Sequence, residues 1–244
     1  MKLKNVSYSF LMVTILIGNI HTVQESYYWG EFRSTTPVDE TLYGLFSYGL
    51  GDNSVNAKKS YYHLMPEVCN QNNCYVPTFS KDSLISSIFQ SWSYVNDLSD
   101  VWYKLLYNKN FIAIGHSRGA EMLIHFIADC DPDNLKALVL IAAPVSVGFA
   151  FKGKIVGDPV AVPAKTLASI KDIKNKQLPI ILLHQQNDKL VTVEHSHCLF
   201  KEFKAQGFKN VSLVIMQSGG HNDLLDKKGY QALQQFYKKN GLVV

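Results

Sequence analysis

Short apolar runs rich in β-branched residues alternate along this chain with longer segments whose apolar positions recur at helical spacing. The apolar runs predict β-strands at residues 41–47, 61–65, 111–114, 135–144, 178–183 and 211–216. The helical spacing predicts helices at residues 83–107, 120–128, 193–205 and 224–238. This alternation predicts an α/β domain with a mostly parallel central sheet and helices on both faces.

Three of the predicted strands are each followed by a polar residue that is suited to catalysis. Ser117 lies in the sequence Gly-His-Ser-Arg-Gly, Asp188 follows the strand at 178–183, and His221 follows the strand at 211–216. The carboxyl ends of parallel strands share one edge of a sheet, so we expect the three side chains to converge there. Nucleophile, acid and base in this chain order are typical of a Ser-Asp-His triad.

The sequence around Ser117 predicts a sharp turn from a strand into a helix. Gly115 and Gly119 lack a Cβ, which lets the two elements pass closely at such a turn. The helix that follows directs its first amides and its dipole toward the nucleophile, where they favour negative charge. An oxyanion formed beside Ser117 would therefore be stabilised.

Other polar residues near the predicted site have simpler explanations. Asp223 and Asp226 are alternative acids, but neither ends a predicted strand, so Asp188 is the predicted acid. We expect His116 to pack beside the nucleophile and His184 to be a hydrogen-bonded structural imidazole. A further set, His195, His197 and Cys198, resembles metal ligands, but neighbours two apart on a helix face different ways, which argues against a metal site.

From about residue 41 to the C-terminus the chain resembles the α/β-hydrolase superfamily. The sequence Phe-Ser-Tyr-Gly-Leu-Gly-Asp at 46–52 is similar to the His-Gly-Leu-Gly-Asp loop of the carboxylesterase and acyl-protein-thioesterase branch. The resemblance implies an oxyanion hole made by the backbone N–H groups of Leu50 and Arg118. Tyr48 stands where that branch has His, and Gln185 stands where it commonly has Gly. The Ser-Arg-Gly elbow is also found in chlorophyllase-like esterases.

The resemblance also sets expectations for the two ends of the fold. Only residues 25–40 separate an apolar N-terminal segment at 1–24 from the first predicted strand, which implies that the first strands of the family's sheet are lost or much reduced. Residues 145–177 are rich in Gly, Pro and Lys and occupy the place of the family's cap, which implies a short cap.

The composition indicates a single globular enzyme domain. The 244 residues are 47% hydrophobic and 18% charged, which is enough apolar material for one core. The net charge of +4 is small and dispersed, without the basic stripe of a nucleic-acid-binding protein. We therefore expect no nucleic-acid partner.

The N-terminus has the pattern of a secretory signal peptide. Lys2 and Lys4 precede an apolar stretch at 6–20, which as a helix would be about 22 Å long, short of a bilayer core of roughly 30 Å. We predict a signal peptide at 1–24, a hydrolase domain at 25–244, export from the cytoplasm and no stable span in the mature chain. An uncleaved N-terminal membrane anchor is the alternative.

The cysteines are compatible with export. Cys69 and Cys74 flank the polar sequence Asn-Gln-Asn-Asn, and we expect a disulfide between them. Two local ligands are too few for zinc. The spacing of Cys130 and Cys198 leaves open whether they pair or stay free.

Together these patterns predict a secreted serine hydrolase that cleaves a carboxylic ester through an acyl-enzyme. No metal or organic cofactor is required, and the expected partner is a small-molecule ester or acyl substrate. A thioesterase and a prolyl-oligopeptidase-like serine peptidase are alternatives within the same chemistry. A noncatalytic binding protein with the same fold is the alternative outside it.

Overall fold

A computed structural model describes residues 30–32, 42–48, 73–77, 91–145, 150–151, 154–155 and 165–242. The strands are β1 (Gly30–Phe32), β2 (Leu42–Ser47), β3 (Asn73–Val76), β4 (Asn110–His116), β5 (Leu135–Ile141), β6 (Ala150–Phe151), β7 (Lys154–Ile155), β8 (Ile180–Gln185) and β9 (Val211–Met216). The helices are α1 (Ser91–Val101), α2 (Arg118–Cys130), α3 (Lys165–Asp172), α4 (Val193–Ala205) and α5 (Lys227–Lys239), and α1 continues into a π-helical turn at Trp102–Leu106.

Seven strands form one sheet in the order β1-β3-β2-β4-β5-β8-β9. Every neighbouring pair is parallel except β1 with β3, which is antiparallel. Strands β5 and β8 are apolar along almost their whole length and almost wholly buried, as expected for parallel strands covered on both faces. This arrangement confirms the predicted α/β class and mostly parallel sheet.

Helix α2 contributes much of the core on one side of the sheet. Nine of its thirteen residues are buried, and it contacts α1, α3 and strand β4. Helices α4 and α5 pack on strands β8 and β9. Because α2 begins directly after β4, its burial fixes the direction in which the chain leaves the sheet at Ser117.

Most predicted elements agree with the structure, and the differences have local causes. The last helix begins at Lys227 rather than 224, because the Asp226 side chain accepts a hydrogen bond from Gly229 N–H and caps the helix there. Strand β5 ends at Ile141, since Ala142 turns to a positive φ of 47°. The predicted strand at 61–65 and the start of the helix predicted at 83–107 lie outside the described residues.

The two ends of the fold are small in the part of the chain that the structure describes. At one edge of the sheet, β1 has three residues. The predicted cap region contains the two-residue strands β6 and β7 and the helix α3.

No helix among the described residues is long and apolar enough to cross a membrane. The predicted signal peptide at 1–24 lies outside those residues.

The disulfide expected between Cys69 and Cys74 is not shown by the structure. Cys74 carries a free thiol that is fully buried within strand β3, between Gly44 of β2 and Phe32 of β1. The polar sequence before it suggested a turn, but Asn73 already begins the strand because it pairs with Tyr43 of β2, and β1 pairs with the strand from Cys74 onward. Cys69 lies outside the described residues. Cys130 and Cys198, whose pairing was open, are also free thiols.

Candidate active site

Ser117 occupies a strained turn between β4 and α2. Its φ of 54° and ψ of −127° lie outside the regions that L-residues favour, and its N–H donates to Ile141 O at 2.8 Å. A Cβ on Gly119 would lie 2.2 Å from Ser47 O, and one on Gly115 would lie 2.4 Å from Ala120 Cα. Both glycines are therefore required for the close passage of strand and helix, as the sequence predicted.

The structure brings Ser117, Asp188 and His221 into one hydrogen-bonded chain. His221 Nε2 lies 2.8 Å from Ser117 Oγ, and His221 Nδ1 lies 2.7 Å from Asp188 Oδ2. The carboxylate of Asp188 is fully buried, whereas His221 keeps a small exposed edge. This is the geometry in which an imidazole can take a proton from a serine hydroxyl while a carboxylate holds its opposite nitrogen.

The Asp188 carboxylate is hydrogen-bonded through both oxygens. Oδ1 accepts from the N–H groups of Leu190 and Val191, each at 2.9 Å, and Oδ2 faces His221. Burial alone would raise the pKa of Asp188, but hydrogen bonds from His184, His221 and the Val191 amide outweigh it and hold the pKa well below its usual range. Asp188 is thus ionised throughout the neutral pH range.

His184 packs behind the acid. Its Nδ1 lies 2.6 Å from Ser196 Oγ, and its Nε2 lies 2.7 Å from Val191 O and 3.5 Å from Asp188 Oδ2. The ring is fully buried. Because a carbonyl can only accept, the proton lies on Nε2, and Ser196 donates to Nδ1. His184 is therefore a hydrogen-bonded structural imidazole that lies beside the acid.

His221 lies in a tight turn of the loop between β9 and α5. Asp223 N–H donates to Gly220 O at 3.1 Å, and Gly220 N–H donates to Asp223 Oδ2 at 2.8 Å. The carboxylate of Asp223 therefore closes the turn that carries His221. The carboxylate of Asp226 caps helix α5 and accepts a hydrogen bond from Gln217 N–H. Both alternative acids thus have other structural roles.

Two more polar side chains contact this turn from the sheet. His116 Nε2 lies 2.9 Å from His221 O, and Gln185 Nε2 lies 2.5 Å from Asp223 O. Burial, followed by repulsion from a protonated His221, lowers the pKa of His116 to about 3, so this ring is neutral. From the sequence, Gln185 was notable only because it stands where the family commonly has Gly, and its contact with Asp223 was not predicted.

Of the two predicted oxyanion donors, only Arg118 lies among the described residues. Arg118 is the first residue of α2, so its backbone N–H belongs to the end of the helix that favours negative charge. Leu50 lies outside the described residues. Both assignments stay predictions.

The Arg118 side chain turns away into a buried network that the sequence analysis missed. It forms an ion pair of 2.7 Å with Glu121, and both side chains are 7% exposed. Glu121 also accepts from Thr166 of α3 at 3.1 Å. Burial, only partly opposed by Arg118, raises the pKa of Glu121. The i, i+3 spacing of the two charges was the one available signal.

The described residues contain no cluster of three or more His, Cys, Asp or Glu side chains that could hold a metal. His195 is buried and accepts from Val145 N–H at 3.1 Å, whereas His197 is exposed on the other side of α4. The two imidazoles thus face different ways.

Comparison with solved structures agrees with this architecture. The chain is similar to the monoacylglycerol lipase of Paleococcus ferrophilus, with a TM-score of 0.62, 15% identity, and coverage of 88% of this chain and 98% of the lipase. It is similar to Est1E of Butyrivibrio proteoclasticus, solved with ferulic acid bound, with a TM-score of 0.60, 15% identity, and coverage of 88% and 95%. It is also similar to a lipase-esterase related protein of Clostridium acetobutylicum, with a TM-score of 0.60, 15% identity, and coverage of 87% of this chain and 98% of that protein.

No family model and no curated protein sequence matches the chain. At this identity the structural similarity establishes the fold and not the substrate. The chain has the α/β-hydrolase fold.

Proposed function

We propose that this protein is a serine hydrolase that cleaves a carboxylic ester through an acyl-enzyme intermediate. The observation that carries the proposal is the hydrogen-bonded chain from Asp188 through His221 to Ser117, with Ser117 at a strained turn. A serine that only binds or packs needs neither an imidazole at 2.8 Å nor an unfavourable backbone conformation.

The proposed reaction begins when Ser117 Oγ attacks the ester carbonyl carbon and its proton passes to His221 Nε2. Asp188 stabilises the imidazolium that results. The Arg118 N–H, together with the predicted Leu50 N–H, stabilises the tetrahedral oxyanion. His221 then returns the proton to the leaving alkoxy oxygen as the carbon–oxygen bond breaks.

Deacylation repeats these steps with water in place of the alcohol. Water attacks the acyl carbonyl as His221 Nε2 takes one of its protons, and the tetrahedral intermediate collapses by breaking the bond to Ser117 Oγ. The proton on His221 returns to Ser117 Oγ, and a carboxylic acid is released. The side chains that we assign here complete the cycle without a cofactor.

The proposed preference for esters over thioesters and amides has two supports. It rests on the fold shared with proteins described as lipases and esterases and on the resemblance of residues 46–52 to a carboxylesterase loop. Thioesters and prolyl amides react by the same steps. A panel of p-nitrophenyl esters, acyl thioesters and prolyl amides on purified protein separates the three classes by kcat/KM.

Reaction with a fluorophosphonate probe tests the nucleophile directly. We expect labelling of the wild-type protein and none of Ser117→Ala, with turnover reduced at least about a thousandfold. Ser218→Ala, on an exposed loop, is the matched control and should be labelled as the wild type is. An unlabelled wild-type protein would support a noncatalytic role, and full labelling of Ser117→Ala would exclude Ser117 as the nucleophile.

We also propose that the protein is exported, on the sequence pattern at 1–24 alone. Expression with its own N-terminus and mass analysis of the product should show cleavage near residue 24 and release from the membrane fraction. An intact N-terminus that remains with membranes would indicate the anchor instead.

A further inference from the structure

The hydrogen bonds within the turn that carries His221 do not by themselves fix the position of the base. Within the loop, the turn from Gly220 to Asp223 is closed by one backbone bond and one side-chain bond. These bonds shape the turn but do not connect it to the sheet. The position of the imidazole relative to Ser117 must therefore be set from outside the turn.

Two side chains connect this turn to the sheet. Gln185, the last residue of β8, donates from Nε2 to Asp223 O, and His116, the last residue of β4, donates from Nε2 to His221 O. The direction of both bonds is unambiguous because a peptide carbonyl can only accept. The donors therefore hold the carbonyl of His221 itself and that of Asp223, two residues further along the turn.

The origin of the two donors matters for the triad. His116 directly precedes Ser117, and Gln185 lies three residues before Asp188. The strand that carries the proposed nucleophile and the strand that leads to the proposed acid thus each supply one side chain to the turn that carries the proposed base. Any displacement of the turn relative to either strand would break one of these bonds.

Gln185 is held there against an unfavourable environment. The side chain is 2% exposed, and among the described residues no donor reaches its Oε1. Burying an amide with one unsatisfied acceptor is destabilising, whereas a smaller apolar side chain would avoid that cost. A Cβ on Gly219 would lie 3.2 Å from Gln185 Cδ and 2.8 Å from Asp223 Cβ, so the glycine permits this close approach.

We propose that Gln185 and His116 are positioning residues that hold His221 in line with Ser117 and Asp188 by hydrogen bonds to the carbonyls of the base turn. The proposal rests on the proposed serine hydrolase function. Gln185 acts through its hydrogen bond to the turn, and the His116 ring also packs against the His221 ring, with 4.9 Å between the ring centroids. Both side chains act through the backbone of the turn, so they determine the probability that the imidazole is correctly oriented.

The test compares kcat and KM for a p-nitrophenyl ester across matched variants. Gln185→Met and His116→Phe remove the donors at similar volume, and each should lower kcat about tenfold with KM unchanged, since misplacement by about 1 Å is enough for such losses. His116→Gln keeps a donor at similar reach and should restore most of the loss. Asn187→Ala removes the exposed bond to Gln217 O in the same loop and should leave kcat unchanged.

A second readout separates positioning from general loss of structure. The low-field proton resonance of the hydrogen-bonded His221 Nδ1–H should broaden or shift in Gln185→Met while the thermal unfolding curve remains cooperative. Wild-type kcat in Gln185→Met and His116→Phe would overturn the inference, as would a loss of kcat that is fully explained by the unfolded fraction. If Gln185→Met does not fold, the pair His116→Phe and His116→Gln decides the question. If the wild type itself fails to react with a fluorophosphonate, the hydrolase proposal fails instead.

Discussion

Replacement of Asp188 by Asn tests the orientation of the whole triad, because the surroundings of this side chain dictate how an amide must sit. Oδ1 accepts from two backbone amides, Leu190 N–H and Val191 N–H, each at 2.9 Å. An Asn side chain must therefore place its carbonyl oxygen there, since an NH2 group would face two donors. Its NH2 group then faces His221 Nδ1.

The consequence for His221 is a change of tautomer. Nδ1 must accept from the new NH2 group, so the ring proton moves to Nε2, which faces Ser117 Oγ at 2.8 Å. An imidazole in that form cannot take the serine proton. We expect kcat near neutral pH to fall about ten-thousandfold, which corresponds to roughly 5 kcal/mol of transition-state stabilisation. KM should change little.

Steady-state kinetics on the ester that the substrate panel identifies provides the assay. Asp223→Asn is the matched control: its new carbonyl oxygen can still accept from Gly220 N–H, so we expect a change of less than about threefold, consistent with the loss of one exposed charge. A larger loss in Asp223→Asn than in Asp188→Asn would refute the assignment of the acid.

The pH profile provides a further check on the same assignment. The pKa of Asp188 is held well below its usual range, so this carboxylate stays ionised through the weakly acidic range. The rise of kcat/KM with pH should then report deprotonation of His221 alone, as one ionisation rather than two. Two ionisations in that limb would contradict the environment that we describe for Asp188.

The remaining predictions concern stability. Glu121→Ala should destabilise the protein by about 3–5 kcal/mol in chemical unfolding because it leaves Arg118 buried without its partner, and the double variant Arg118→Met with Glu121→Leu should recover most of that loss. The double variant should still be labelled by a fluorophosphonate, since only the backbone N–H of Arg118 is assigned to the oxyanion hole. Gly119→Ala should cost more than about 4 kcal/mol because its Cβ would overlap Ser47 O. Gly207→Ala should cost only about 1–2 kcal/mol, since its φ is positive but the space is open. Equal midpoints for the two glycine variants in thermal unfolding would contradict the close packing at the elbow.

The apolar runs and the turn residues that bound them were sufficient to predict strands β2, β4, β5, β8 and β9. Strands β8 and β9 are largely apolar and bounded by turn residues, a pattern typical of strands in a parallel sheet. The glycines around Ser117 predicted the elbow because no other residue fits there. Local sequence failed at Cys74, whose polar neighbours suggested a turn although pairing with two strands makes it part of β3.

The chain order of Ser117, Asp188 and His221 and their positions at strand ends follow from local sequence, because strand ends are marked by local signals. The contacts of Gln185 with Asp223 and of Glu121 with Thr166 do not, because each joins residues about 40 positions apart whose meeting depends on how their elements pack in the fold. Local patterns describe which face of an element is apolar, whereas a polar contact between elements far apart in the chain depends on distances of a few ångströms that no pattern encodes. The convergence of Ser117, Asp188 and His221 could therefore be predicted from the sequence, while the side chains that we propose to position His221 could be found only in the folded protein.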